Sequence, residues 1–327
     1  MWMSLLAFFP FLVIVLIAQW SDRDRVVRWL VYGLILLFDA LIALGGLLAM
    51  LIGRSREIQR LLLSQFPQAA SLRWGVFGLV VIQTTVLAPL FLLPFVRRGL
   101  ARVIPIDPES GVHATALTLA VLVTGLNLAQ VPLIGGLSAL AESTAQVALL
   151  DLLISSLPIG LFALVGVGFL IRRTPRETWQ RLGLRRITWR QTGLVAGLTV
   201  LIVVFYYGVD WVWRILAPES YDMVNALSEV LYSGAMGIWQ GILVSLVVGV
   251  TEELFFRGAL QPRFGLLLTA VLFTVAHVQY GLTPATLEVF GGALALGWLR
   301  QRTHTTACIL LHVLYNLVGL LVFPLLP

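Results

Sequence analysis

The sequence predicts an all-α, polytopic transmembrane helical bundle of about ten spans, on three observations. The chain is 59% hydrophobic and 12% charged, with a mean hydropathy of +0.95, whereas soluble domains carry roughly 25% charged residues. Its apolar runs are continuous over lengths near the roughly 20 residues that a helix needs to cross a bilayer, not alternating over ten. In lipid every backbone amide must be satisfied within the protein, so continuous runs of this kind fold as helices. The basic residues are all arginine, with no lysine in the chain, and they gather between the runs, as cytoplasmic loops require.

The spans follow in order. Residues 3–19 are apolar up to "QWSDRDR" and lack the basic leader and small-residue cleavage site of a signal peptide. They read as a first span entering from outside, because Arg23, Arg25 and Arg28 follow. Further spans are expected near 29–52, 74–96, 114–134, 146–171, 191–215, 235–256, 264–280, 285–299 and 305–326. Seven arginines and one glutamate in "RRTPRETWQRLGLRRITWR", 172–190, place that loop in the cytoplasm. The loop around 217–233 carries Glu219, Asp222 and Glu229 and no basic residue, so it lies opposite. Arg257 with Arg263, and then Arg300 with Arg302, read as returns to the cytoplasm. Arg54, Arg56, Arg60 and Arg73 break this alternation: either "RSREIQRLLLSQF", 54–66, is an amphipathic interfacial helix, or one N-terminal span is miscounted. Gly193/Gly197 and Gly237/Gly241 have the small-residue spacing that permits close helix approach. The chain divides into N-terminal helices over 1–140 and a core over 146–327.

Net charge is +6, which in a soluble protein would suggest nucleic acid; here the arginines serve topology and no nucleic-acid partner is expected. One cysteine, Cys308, excludes an intrachain disulfide and a Cys-rich metal site. In its apolar run it reads as a small buried side chain.

Ionisable residues inside a membrane cost roughly 2.5–3.5 kcal/mol each on insertion scales, so each is a candidate for function. Asp39, Asp151, Asp210, Arg214, Glu252, Glu253, Arg257, His277, Glu288 and His312 form this set. Asp210 and Arg214, four apart, fit a structural surface pair. Asp39 lies mid-span, and Asp151 near a span start. His113 and His304 sit near span ends and read as loop or interface histidines. In "TEELFFRG", 251–258, Glu253 and Arg257 can pair along one helical face. Glu252 is then turned about 100° away with no local partner. His277 lies in "FTVAHVQYG", four residues after Phe273, and His312 in "LLHVLYNL" shares a helix face with Asn316. Two histidines, an asparagine and a free glutamate on three consecutive spans suit a shared polar site. A partly desolvated glutamate can act as a base on water, and His and Asn can hold an oxyanion. Glu252, His277 and His312 equally make a zinc ligand set with an open position. Neither an HExxH nor a G-x-S-x-G motif is present.

These residues resemble the CPBP intramembrane proteases, also called the Abi or CAAX-protease family. "EELFFRG" is similar to the family's EExxxR motif, "FTVAH" to FxxxH, and "HVLYN" to HxxxN, in the family's order. "LGLRR" and "GWLRQRTHTTACILLH" resemble its flanks, with "THTT" in place of small residues. The likeness covers about 235–320. The family includes the type II CAAX prenyl endopeptidase, which removes the terminal tripeptide from prenylated proteins. The resemblance implies that Glu252 activates water, Glu253 and Arg257 position it, His277 assists, and His312 with Asn316 holds the oxyanion. No cofactor is favoured; zinc is the alternative.

The expected substrate is a membrane-associated peptide or protein, and the expected setting a bacterial plasma membrane, with the site opening to the cytoplasm. A non-enzymatic bacteriocin-immunity or scaffold protein is a second reading, though a scaffold has no need of an unpaired buried glutamate. A proton-coupled transporter is a third, though the broken helices and repeated halves it calls for are not seen.

Overall fold

The computed structural model describes residues 2–65, 72–133, 147–235 and 237–321, and every regular element among them is helical. Fourteen α-helices are labelled in chain order: α1 Trp2–Ala18, α2 Arg25–Arg54, α3 Arg56–Gln65, α4 Trp74–Leu87, α5 Pro94–Leu100, α6 Gly111–Leu133, α7 Leu149–Gly166, α8 Pro175–Leu182, α9 Trp189–Leu216, α10 Pro218–Leu231, α11 Ile238–Glu253, α12 Gln261–Val275, α13 Pro284–Arg302 and α14 Thr305–Leu321. A seven-residue π-helical segment, Leu254–Leu260, joins α11 to α12.

Six helical stretches are long and apolar enough to cross a membrane: Arg25–Arg54, Trp74–Leu92, Gly111–Val131, Leu149–Gly166, Trp189–Leu216 and Ile238–Val275. Phe8–Ala18 and Thr305–Leu321 are shorter apolar helices. The sequence-based count of about ten differs for identifiable reasons. The expected spans 235–256 and 264–280 lie in one helical run, interrupted only where Gly265 leaves helical geometry at φ 75°. The span expected at 285–299 is α13, which carries Glu288, Arg300 and Arg302 and is not among the six. Positions 134, 146 and 322–326, at the ends of three expected spans, lie outside the described residues.

The chain forms two compact units. The first comprises Met1–Leu16, Thr144–Thr274 and Leu282–Pro327; the second comprises Ile17–Ser143 and Val275–Gly281. In the second, Asp24 caps α2 by accepting from the Val26 and Val27 N–H groups. Asp22 does the same for α6, accepting from Gly111 N at 2.7 Å. α2 and α4 cross closely at Gly46 and Gly78, where an added Cβ on Gly46 would meet Val81 Cγ1 at 2.8 Å. Asp39 is buried on α2, and its Oδ1 has no hydrogen-bond partner among the described residues. Residues 56–65 form the separate helix expected from the amphipathic pattern, starting just after Ser55.

In the first unit, α9, α13 and α14 share a core of Val195, Ile202, Leu296, Leu299, Ala307, Cys308 and Leu311. Cys308 is fully buried there, as its apolar surroundings suggest. The outer face of α9 exposes Val200, Leu201, Val204, Trp211 and Ile215, an apolar surface suited to lipid. Helix ends are fixed by local chemistry. Thr174 and Glu177 form a capping box on α8, with Pro175 at its first position. Thr188 and Gln191 do the same for α9. After α8, Gly183 takes φ 73°, a left-handed geometry that favours glycine. The Thr305 N–H reaches the Gly183 carbonyl at 3.0 Å, and the Thr305 hydroxyl donates to Leu182 O. The "LGL" turn is thereby tied to the start of α14. α11 approaches α14 at Gly249, where a Cβ would lie 2.9 Å from Val313 Cγ2.

Candidate active site

The carboxylates stand where α11 passes into the π segment. A π turn adds one residue to the helical turn and often marks functional sites. It also loosens the regular carbonyl ladder, and here arginines from outside occupy carbonyls of the segment. Arg181 of α8 donates to Gly258 O at 2.7 Å and Ala259 O at 3.2 Å, and Arg300 of α13 donates from Nε to Arg257 O at 3.1 Å. Gln261 donates to Gly297 O at 2.8 Å. The segment bearing the motif is thus braced on two sides.

Glu253 and Arg257 are both buried, at 0% and 1% side-chain exposure, and Arg257 Nη1 donates to Glu253 Oε1 at 2.9 Å. This is the i,i+4 pair expected from spacing. Arg257 therefore does not lie in a cytoplasmic loop, as its use as a topology signal assumed. The helix continues past it to Gly265, and its charge is neutralised inside the fold. Its second nitrogen, Nη2, donates to Ala293 O at 3.3 Å. Its Cζ lies 4.5 Å from the centroid of the Phe273 ring, a distance typical of cation–π contacts. Phe273, the first residue of "FTVAH", also packs edge-on to Phe256 at 4.9 Å.

His312 approaches from α14. Its Nδ1 lies 2.9 Å from Glu253 Oε1, the same oxygen that receives Arg257. Its Nε2 lies 4.0 Å from Glu252 Oε2, outside hydrogen-bond reach. One face of the imidazole is covered by Tyr315, stacked at 4.8 Å and 17°. Tyr315 in turn meets Tyr206 of α9 edge-on at 6.1 Å. Glu252 is 13% exposed at its side chain, and its Oε2 is buried with no hydrogen-bond partner among the described residues. Each glutamate has a buried Oε2 without a partner among the described residues, but the geometry separates them: Glu253 is anchored through Oε1 by Arg257 and His312, while Glu252 takes neither bond and turns its Oε2 toward His312 Nε2.

Of the six residues selected from sequence, Glu252, Glu253, Arg257 and His312 come together in the first unit. Asn316 lies one turn beyond His312 on α14, half-buried. His277 follows the end of α12 and belongs to the second unit, where its ring lies parallel to that of Tyr280 at 6.5 Å. Among the described residues no group of three or more His, Cys, Asp or Glu side chains is arranged to hold a metal ion.

Other polar residues fall differently from expectation. Asp210 lies in hydrogen-bonding contact with the carboxyl of Glu288. Arg214 reaches the Tyr221 hydroxyl at 3.1 Å and also attracts Asp210, so the expected Asp210–Arg214 pairing is one of several contacts that the two residues make. Nothing local in the sequence joins Asp210 to a residue 78 positions away. His304 is buried and meets Gln191 Oε1 at 3.2 Å, tying the turn before α14 to the start of α9. Gly193 and Gly197 have no neighbour within 4 Å of an added Cβ among the described residues, so their spacing marks no close approach there.

The six helices long and apolar enough to cross a membrane define an integral membrane protein of the helical-bundle class. Residues 234–318 match the family model described as Rce1-like, type II CAAX prenyl endopeptidase Rce1-like. This is the family that the three motifs resemble, and the matched stretch, about a quarter of the chain, contains all six selected residues. At the coarse level the match supports a CAAX-protease-like membrane endopeptidase acting on a membrane-associated peptide. No curated protein and no solved structure matches the chain.

Proposed function

We propose that this protein is an intramembrane endopeptidase in which Glu252, not a bound metal, activates the hydrolytic water. The observation that carries this reading is the asymmetry of the two glutamates. Glu253 is fully buried and its Oε1 is held by both Arg257 and His312, although its Oε2 has no partner among the described residues. Glu252 takes neither bond, is 13% exposed, and has its buried Oε2 without such a partner beside His312. A buried unsatisfied carboxylate oxygen is costly, and its presence beside an imidazole suits a general base.

Glu253 then acts as the positioning residue. With Nδ1–H donated to Glu253, the His312 ring is held with Nε2 toward Glu252. For Nε2 to donate to an oxyanion as well, both ring nitrogens must carry protons. The local charges then balance: two carboxylates against one guanidinium and one imidazolium, a neutral set in a low-dielectric site. Asn316, on the same face of α14, supplies a further donor to the oxyanion. Attack of the Glu252-activated water on the peptide carbonyl places negative charge on the carbonyl oxygen. Glu252 holds the abstracted proton until the leaving amine takes it. His277 is proposed to assist at the water, as the family resemblance implies. The basic loops on this side of the chain support a site that opens toward the cytoplasm, and 146–327 is the proposed protease core.

The test uses purified full-length protein in detergent, incubated with a library of peptides that includes carboxyl-terminal lipidated members, beside a Glu252→Ala control. New termini generated by the unaltered protein and absent from the control are expected. Cleavage of the same bonds by both proteins, or of none by either across the library, would overturn the proposal.

A further inference from the structure

One end of the first unit holds a cluster of arginines whose bonds go to neutral partners. Arg181 spans the carbonyls of Gly258 and Ala259, and Arg300 holds that of Arg257. Arg173 donates to the Val167 carbonyl. These bonds fix the guanidiniums in place without cancelling their charge. Arg263 lies one helical turn beyond Ala259 and is exposed, which brings it beside Arg181. Burial pushes Arg181 down to about 10, and its charged neighbours Arg263, Arg173 and Arg300 all push in the same direction. Arg173 is lowered by burial and then by Arg172 and Arg263, with Glu177 acting against them. Glu177 itself accepts from both the Thr174 N–H and hydroxyl as part of the α8 capping box.

Exposed apolar side chains lie on the same stretch of chain, 170–189, as Arg173 and Arg181. Trp179 on α8 is exposed, and Trp189 at the start of α9 is 91% exposed. Leu170 is exposed at the tip of the turn before Arg173 and takes φ 58°. A left-handed conformation is unfavourable for leucine, so the turn holds an apolar side chain outward at some cost. Its N–H is fixed to the Arg173 carbonyl at 2.9 Å. Exposed tryptophan beside arginine is the composition found at the headgroup level of a bilayer. Guanidinium forks match the phosphate oxygens of such headgroups.

We propose that Arg173, Arg181, Arg263 and Arg300, with Leu170, Trp179 and Trp189, bind the phosphate of an anionic lipid headgroup. Charge complementarity selects an anionic lipid over a zwitterionic one, and the exposed tryptophans and leucine select a lipid over a free anion. Because Arg181 and Arg300 also brace the turn that follows the carboxylates, an occupied site stabilises that turn against unfolding.

The test is thermal unfolding of the full-length protein in neutral detergent with added phosphatidylglycerol, phosphatidylcholine or inorganic phosphate at equal phosphate concentration. Phosphatidylglycerol is expected to raise the melting temperature by roughly 2–4 °C over phosphatidylcholine, with no rise from inorganic phosphate. Arg263→Gln, an exposed position, is expected to remove at least half of that rise. The control Arg56→Gln/Arg60→Gln, which removes two charges from α3, is expected to keep it. Equal effects of the two lipids on the unaltered protein would overturn the proposal. So would an equal rise with inorganic phosphate, a full rise in Arg263→Gln, or an equal loss in the α3 control. Should Arg263→Gln not fold, retention of phosphatidylglycerol over phosphatidylcholine by the unaltered protein in native mass spectrometry decides, with equal retention counting against the site.

Discussion

Replacing Arg257 by methionine isolates the electrostatics of the buried pair. The methionine keeps much of the apolar stem and removes the guanidinium. Glu253 is 0% exposed and Arg257 1%, so water cannot take over the lost partner. Breaking one side of a buried ion pair typically costs about 3–5 kcal/mol, because the other charge is left uncompensated. His312 remains on Glu253 Oε1 at 2.9 Å and softens the loss, so the lower end of that range is expected. Glu253→Gln strands Arg257 in the same way and weakens the His312 bond. The double variant Glu253→Gln/Arg257→Met removes both charges, and its cost should fall short of the summed single costs by about 1–3 kcal/mol. The chain supplies its own reporter: Cys308 is the single cysteine and is fully buried in the core of α9, α13 and α14. A thiol-reactive dye added in mild detergent therefore lights up only as that core opens. Strict additivity of the three melting shifts, or unaltered melting of Arg257→Met, would refute the reasoning.

Three further outcomes are expected. Gly249→Val places a side chain where a Cβ alone would lie 2.9 Å from Val313 Cγ2; it should cost about 1–3 kcal/mol by overpacking and displace His312, and unchanged melting would contradict the tight α11–α14 crossing. His304 is held below its ordinary 6.5 by burial and then by Arg185 and Arg300. Its unfolded form binds protons more readily, so its contribution to stability is complete above that value and is lost as pH falls through it. Melting should drop between pH 7.5 and 5.5, and less so in His304→Gln; identical slopes would refute the assignment. Protein washed with chelator and assayed for peptide cleavage should stay active with no stoichiometric zinc by elemental analysis. Zinc at one per chain, lost together with activity, would move the chemistry from a glutamate base to a metal.

What was legible in the sequence was mostly local. Helix type followed from continuous apolar runs, and the Glu253–Arg257 bond from four-residue spacing. The capping pairs Thr174/Glu177 and Thr188/Gln191 have the three-residue separation of a capping box, a further local pattern. The count of spans was less legible, because a π segment lets one helical run continue through "EELFFRG" without a loop. For the same reason Arg257 looked like a loop charge, although its partners lie in the interior. Long-range choices left no sequence trace. Spacing leaves Glu252 without a local partner but does not reveal that His312 bonds Glu253 in preference. Asp210 meets Glu288 as well as Arg214 because α9 and α13 pack together. Phe273 was visible only as part of a motif, and its place under Arg257 depends on how α12 folds back after Gly265.

The central claim is that Glu252 does chemistry while Glu253 and Arg257 hold the site. Its most direct test is the hydrolysis rate of one cleaved peptide by Glu252→Gln, measured beside the melting temperature of the same sample. Loss of a general base predicts a fall of about 10²–10⁴-fold in rate with melting close to that of the unaltered protein. Cleavage at the full rate, or a fall matched by unfolding of the variant, would contradict the account.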